Sequence, residues 1–469
     1  MGRGVLEELR VWVGGRVERL GPEGGDAVLY AVSAAFAAIT AGLSTIALYR
    51  VWAEIAVGPY VAAALVSLFL LRYRRRKAAA VVAAPDGPGS TTMPSPTTTG
   101  RSHWRGARIW LFVGVLVGAT LLPLSVEVAL RNGGSAGTSS AHVQPEVVVI
   151  DQAARKITHG KDPYPAPGKH GRVTSAVPGE PAYEAYFPYL PLMAVFGLPS
   201  EMHHPIRLTD ARIFFSLVTL LVAAGALALC RAPTERKVRA LQVLAVLPTA
   251  ALPLATGGDD MPIVAILLLG MVLAQRRMPF SSGLVLGVVS AMKFTAWPLA
   301  ALALFAARDK AGRRQPLRML LGMLVVIGPV VVPYLLENVH AFVTNVILFP
   351  LGLAGVASPA ASPLPGHLLV TAFPSIHHAL PLVVAVVGGV VLVRYLMRRT
   401  PSTTSQVTAA AAWVMLVAIL FAPATRIGYL LYPINFFVWA FMLKGAEDDE
   451  LAASPGAVEA ALASRSSPG

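Results

Sequence analysis

The sequence predicts an all-α fold, a polytopic bundle of transmembrane helices, and two observations carry the prediction. Of 469 residues, 55% are hydrophobic and only 14% charged, with a mean hydropathy of +0.62. Apolar runs of about 20 residues, the length of helix that crosses hydrocarbon, recur along the chain. The basic residues stand at the ends of those runs, as they do in cytoplasmic loops. The net charge of +14 therefore reads as membrane topology, and no nucleic-acid partner is expected. A single cysteine, Cys230, leaves no disulfide framework and no thiolate metal site.

In chain order, residues 1–27 predict a short interfacial helix, VLEELRVWVGGRVERL, and apolar runs at 28–49 and 53–71 a membrane hairpin. The hairpin ends in the basic run Arg72-Tyr-Arg-Arg-Arg-Lys77, so 1–77 is an N-terminal segment. Residues 78–106, rich in Ala, Pro, Gly, Ser and Thr and without periodicity, read as a flexible cytoplasmic linker. The membrane core is expected at 107–443, and 444–469 as an acidic, Ala-rich, disordered cytoplasmic tail.

Within the core, the run from Ile109 to about Pro123 crosses outward. It delivers a large outer loop from Glu127 to about Ala185 that carries short interfacial helices. Basic clusters at Arg231/Arg236/Lys237/Arg239, Arg276/Arg277, Arg308/Lys310/Arg313/Arg314 and Arg394/Arg398/Arg399 mark the cytoplasmic side. Two apolar stretches then cannot be complete crossings. The Pro-broken YFPYLPLMAVFGLP, Tyr186 to Pro199, must be re-entrant or interfacial, because 211–230 enters from outside. The run 281–307 has cytoplasmic charge at both ends, so it dips in and returns with Lys293 near the turn. Irregular backbone at membrane depth is tolerated only against protein or a wet cavity, so these elements mark a cavity. Runs 240–256 and 261–275 form a hairpin capped outside by Gly257-Gly-Asp-Asp260. Run 317–336 goes out, and 377–397, 406–423 and 427–443 complete the bundle.

Several residues in this scheme carry chemistry. Pro145 suits a first helical turn, which places Glu146 where the helix dipole favours a carboxylate. Glu146 is then either a plain helix-start acid or a general base at the water interface. Asp151 faces about 140° away on the same helix and stands i,i+4 from Arg155, the spacing of a surface ion pair, so it is the secondary candidate. Lys293 at mid-bilayer costs about 2.5–3.5 kcal/mol on insertion scales, so it needs either a partner or a snorkelling route to the surface. Arg426, between two apolar runs at the predicted outer face, calls for an anion. Arg131 and the pairs His203/His204 and His377/His378 widen the set, but no histidine spacing suits a metal and none is assigned. Asp260, before Met261-Pro262, reads as an N-cap, and Asp259 is left over for sugar hydroxyls. Tyr183, Tyr186, Phe187 and Tyr189 suit a sugar or prenyl groove or, equally, an interfacial aromatic belt.

The order of these features is informative. A loop acid stands 14 residues before the Gly160-Lys-Asp-Pro-Tyr164 run; YFPYLPL, GGDDMP and a G-x-x-x-A-x-K-x-x-x-x-P hairpin follow. Across residues 108–443 this set resembles glycosyltransferase family 87, membrane enzymes of the GT-C class that include actinobacterial polyprenyl-phosphate-mannose-dependent mannosyltransferases. The resemblance implies a GT-C-like bundle in the cell membrane with its active site on the extracytoplasmic face. It implies transfer of a hexose, mannose in those relatives, from a polyprenyl-phosphate donor to a glycolipid or glycan acceptor of the cell envelope, with inversion and without a cofactor. Counting back from Gly160, the family's loop carboxylate falls on Glu146, a Glu where Asp is usual, as base. Lys293, Arg426 and Arg131 would hold the donor phosphate, and Asp259, Asp260, Tyr164, Tyr186 and Tyr189 the sugar or acceptor. The GGDD run stands where many relatives have a Gly-Gln-x-Asn-like turn. The competing expectation is a transporter or flippase of lipid-linked glycans, which shares broken helices and an intramembrane Lys. Against it, the sequence shows no inverted repeat, and its acids cluster in an outer loop.

Overall fold

Long apolar segments in a bilayer must satisfy their own backbone polar groups, and helices do so within one segment. The computed structural model describes residues 2–82, 98–133, 142–168, 172–173, 181–202, 207–307, 315–356 and 358–452. Among these there is no β-strand, only an isolated bridge between Ala361 and Thr425. Among the described residues, eight helices are long and apolar enough to cross a membrane, or nine if one pair bent by 47° counts as a single span. The chain is a multi-pass helical membrane bundle.

The helices are α1 Gly2–Leu43, α2 Ala47–Val82, α3 Thr98–Leu116, α4 Leu122–Gly133, α5 Pro145–Thr158, α6 Leu198–Met202, α7 Ala211–Leu229 and α8 Thr234–Ala245. There follow α9 Pro248–Thr256, α10 Asp260–Gln275, α11 Pro279–Ser290, α12 Trp297–Ala306, α13 Gln315–Glu337 and α14 Val339–Val343. The chain closes with α15 Pro365–Ala372, α16 Ala379–Arg398, α17 Thr404–Phe421 and α18 Leu431–Ala452. The bent pair is α8 and α9.

Four boundaries differ from expectation. The predicted interfacial helix ends in a kink at Gly21, whose φ of 64° only glycine adopts freely, and the first span, Gly21–Leu43, starts there and not at residue 28. Helix extends into both ends of the predicted linker, through Val82 and from Thr98, while residues 83–97 lie outside the described residues. Likewise α18 continues through Ala452 into the predicted tail, of which 453–469 lie outside the described residues. The third crossing does not stop at Pro123. It passes through a π-helical turn at Val117–Leu121 and on to Gly133, carrying Glu127 into the buried interior. Pro123 has no N–H for the carbonyl of Ala119 four residues back, and the Trp52 indole donates to that carbonyl instead, at 2.9 Å. A side chain from α2 thus makes the proline tolerable.

The two broken elements are stitched to each other. α11 and α12 have 12 and 10 residues, about 18 and 15 Å of helix, and neither alone crosses about 30 Å of hydrocarbon. Between them Lys293 is extended, at φ −150° and ψ 139°. The carbonyls freed at this break are all taken: Ser290 by the Trp297 indole (2.9 Å), Ala291 by the Leu192 amide (3.1 Å) and Met292 by the Leu190 amide (3.0 Å). The donors at 190 and 192 belong to the YFPYLPL segment, so each irregular strand of backbone satisfies the other. Asn345 clamps the same segment. Its Oδ1 accepts from the Phe187 amide at 3.0 Å, and its Nδ2 donates to the Pro165 carbonyl at 3.1 Å.

Candidate active site

The start of α5 is fixed by contacts with the end of α9. The Gln144 amide donates to the Thr256 carbonyl at 3.2 Å and its side chain to Thr256 Oγ1 at 2.7 Å. Gly257 follows at φ 105°, and a Cβ there would lie 2.5 Å from Val147 Cγ2 and 2.8 Å from Arg212 Cγ. Glycine is needed twice over, for the left-handed turn and for the close approach of α5. The turn that receives α5 also delivers Asp259 and Asp260, so Glu146 and the two aspartates meet in one corner although 112 or more residues separate them.

Glu146 sits in the first turn of α5 behind Pro145, as expected. Its Oε1 accepts a hydrogen bond from Arg426 Nη1, which supplies the anion that Arg426 called for. Its Oε2 is buried with no hydrogen-bond partner. The field of Glu146 reaches Asp259, Tyr189 and Tyr429.

Lys293 does not snorkel. Its Nζ lies 2.9 Å from Asp259 Oδ2 and 2.6 Å from Asp260 Oδ1, and 5.3 Å from the centre of the Tyr189 ring. Asp260 Oδ1 also accepts from the Tyr432 hydroxyl at 2.5 Å, which meets Thr295 Oγ1 at 2.6 Å. The expectation that Asp260 caps α10 is corrected: Asp260 is the first helical residue and Asp259 stands at the cap position without a side-chain cap bond. A buried ammonium one helix away outcompetes a local amide, because charge-assisted bonds are the stronger. Tyr432 and Thr295 were missed in the sequence. The available signal was a pair of hydroxyls in otherwise apolar surroundings, which is weak.

The other predicted residues divide. Tyr189 lines the corner. The Tyr164 hydroxyl donates to the Tyr189 carbonyl at 2.8 Å, and Tyr186 accepts from the Val173 amide at 3.1 Å while stacking on Phe349 at 4.4 Å. Arg131 joins a second cluster, with Asp210 at 2.9 Å and Asp151 at 3.5 Å, apart from Lys293 and Arg426. The expected Asp151–Arg155 ion pair is also corrected. Asp151 turns to the buried face where Gly197 packs on its Cα, and Arg155, 70% exposed, meets Glu201 at 3.2 Å. Burial pushes Asp151 up to about 7 despite Arg131. Burial works the same way on Asp210, but hydrogen bonds and charge from Arg212, with the charge of Arg131, prevail and hold it at about 2. His377 and His378 face each other at 5.3 Å, and His203 and His204 lie outside the described residues.

A model of glycosyltransferase family 87 matches residues 187–423, just over half of the chain. The chain belongs to glycosyltransferase family 87. It is a membrane glycosyltransferase, and the corner just described is where the family match and the independent geometry overlap. The match contains Tyr189, Asp259, Asp260 and Lys293; Glu146 precedes it and Arg426 follows it. Contacts in space attach these two to this family 87 enzyme's matched half. No curated protein and no solved structure matches the chain.

Proposed function

We propose that this glycosyltransferase moves a hexose, mannose by family likeness, from a polyprenyl-phosphate donor to a glycolipid or glycan acceptor of the cell envelope, with inversion, at the extracytoplasmic face of the cell membrane. The observation that carries the reading is the divided carboxylate of Glu146, one oxygen held by Arg426 and the other buried and unpartnered, in the corner of Asp259; Asp151 and Glu127 are divided in the same way but on Arg131 and His142. A buried acceptor without a donor is costly, and an incoming hydroxyl supplies the missing hydrogen bond.

The chemistry then distributes over the corner. The acceptor hydroxyl donates to Glu146 Oε2 and its oxygen attacks the anomeric carbon opposite the phosphate. The new C–O bond forms as the bond from that carbon to the phosphate oxygen breaks; the proton passes to Glu146 and the bonding pair leaves with the phosphate. A sugar phosphate needs no acid to depart, only a cation. Arg426 has five N–H donors in a planar fork, of which Nη1 holds Glu146, so the rest are available to phosphate oxygens. Lys293, already between two carboxylates, serves mainly to hold Asp259 and Asp260 as acceptors for sugar hydroxyls. Asp151 and Arg131 belong to the second cluster and take no part in this scheme.

The test is sugar transfer in membranes from a labelled polyprenyl-phosphate mannose, with wild type and Glu146→Gln side by side. Transfer is expected with wild type and is expected to fail with the variant. Wild-type enzyme that takes sugar from a nucleotide donor and ignores the lipid phosphate would overturn the donor assignment.

A further inference from the structure

Arg426 stands in the short connector between α17 and the 3-10 turn Ile427–Leu430, with extended backbone at φ −121° and ψ 141°. Successive side chains of extended backbone point to opposite sides, so the pairing of its neighbours decides which side Arg426 faces. That pairing comes from one segment, residues 360–362, in the connection between α14 and α15. The Thr425 amide donates to the Ala360 carbonyl at 2.8 Å, and the Ser362 amide donates to the Thr425 carbonyl at 2.9 Å. The Ile427 amide then donates to the Ser362 hydroxyl oxygen at 3.0 Å. Ser362 therefore holds the residue before Arg426 with its backbone and the residue after it with its side chain.

The same stretch fastens the connector further back. His367 Nδ1 lies 3.0 Å from the Pro423 carbonyl oxygen, and a Cβ on Gly366 would fall 2.3 Å from the carbonyl carbon of Phe421. Thr425 is fully buried, and its hydroxyl donates to the Ile419 carbonyl at 2.9 Å. The Arg426 side chain, in contrast, is 30% exposed where it meets Glu146. A fixed backbone thus carries a guanidinium that substrate can reach. The family match ends at residue 423, so the strap lies inside it and the cation that it holds lies beyond.

We infer that Ser362 is a positioning residue, whose hydroxyl fixes the peptide after Arg426 and so aims the guanidinium at the point where Glu146 and the donor phosphate meet. The inference rests on the proposed lipid-phosphate donor. The Ser362–Ile427 bond is exposed, so water can replace it at little cost to stability, and its loss is felt in the aim of Arg426 and not in the fold.

The experiment measures the Kd of polyprenyl phosphate for purified full-length enzyme. Ser362→Ala is expected to weaken binding about fivefold with the melting temperature within about two degrees of wild type. Ser362→Thr keeps the hydroxyl and is expected to bind as wild type, whereas Ser362→Val, of nearly equal volume, is expected to bind as weakly as Ser362→Ala. This pair reads the hydroxyl even if the alanine variant folds poorly. Thr371→Ala removes a hydroxyl of the same connection that donates to the His367 carbonyl at 2.8 Å, and is expected to leave binding unchanged. Because Ser362 acts through Arg426, Ser362→Ala is expected to add nothing to the loss caused by Arg426→Gln. Wild-type binding in Ser362→Ala and Ser362→Val overturns the inference, as does equal weakening in Ser362→Thr or a further fivefold loss in the double variant. If Arg426→Gln weakens binding while the Ser362 variants do not, the inference fails and the phosphate assignment stands. Wild-type binding in Arg426→Gln removes the phosphate assignment, and the inference with it.

Discussion

Two ionic clusters, one against α8 and the other beyond the end of α9, are finished differently. Against α8, Asp26 is closed: Oδ2 accepts from Arg108 Nε at 2.6 Å, and Oδ1 accepts from Arg108 Nη2 at 3.1 Å, Arg239 at 2.9 Å and Gln242 at 3.2 Å. Beyond the end of α9, Glu146 is open, with one oxygen on Arg426 and one on nothing. A saturated carboxylate can only hold its partners together, whereas an unsaturated one has a lone pair left for substrate. The closed cluster joins α1, α3 and α8, and so fastens the hairpin to the core. The open one meets the family's matched residues.

The sharpest test of this contrast is Glu146→Gln, which keeps an acceptor for Arg426 and removes the base. Turnover is expected to fall by about 10²–10⁴-fold with unchanged thermal stability in detergent. Equal turnover would place the open carboxylate among structural groups. Asp26→Ala should do the opposite. Stripping the anion from buried Arg108 and partly exposed Arg239 is expected to cost about 3–5 kcal/mol of stability, read by denaturant unfolding, while turnover per folded molecule stays within about twofold. A large loss of turnover there would erase the distinction between the two clusters.

A smaller effect is expected from Gly257→Ala, where a left-handed φ and the overlap with Val147 together cost about 1–3 kcal/mol. Because the strain pushes on the start of α5, turnover should drop about tenfold with the pH profile retained; a variant with wild-type turnover would show that Glu146 is placed by other contacts. The smallest effect concerns Asp151. Its folded value of about 7 lies above the ordinary carboxylate value, so its contribution to stability is full below about pH 4 and is lost as pH rises through 7. Between pH 5 and 8, wild type should therefore lose a few degrees of melting temperature relative to Asp151→Asn. Parallel profiles would mean that Asp151 titrates as an ordinary surface acid.

Much of the bundle was legible because hydropathy and basic clusters act over whole segments. The break at Lys293 and the Pro-broken YFPYLPL segment were legible for the same reason, since the charge pattern leaves them no complete crossing. Glu146 at a helix start was readable from Pro145, and Arg426 from a cation with no topological use. Pairings were not readable. Asp260 looks like a cap, and Asp151 looks like the partner of Arg155. Each reading rests on neighbours in sequence, and each was displaced by a group brought from elsewhere: Lys293 and Arg131.

The sequence by itself determined a helical membrane protein of this family and the identities of its acids and cations. Burial of apolar surface and self-satisfaction of backbone groups depend on composition and segment length, which a linear reading contains. Which carboxylate is closed and which is left open was decided only by the tertiary structure. That outcome depends on distances between residues as far apart as Glu146 and Arg426, and a Gly257 turn and a break at Lys293 bring them into one corner.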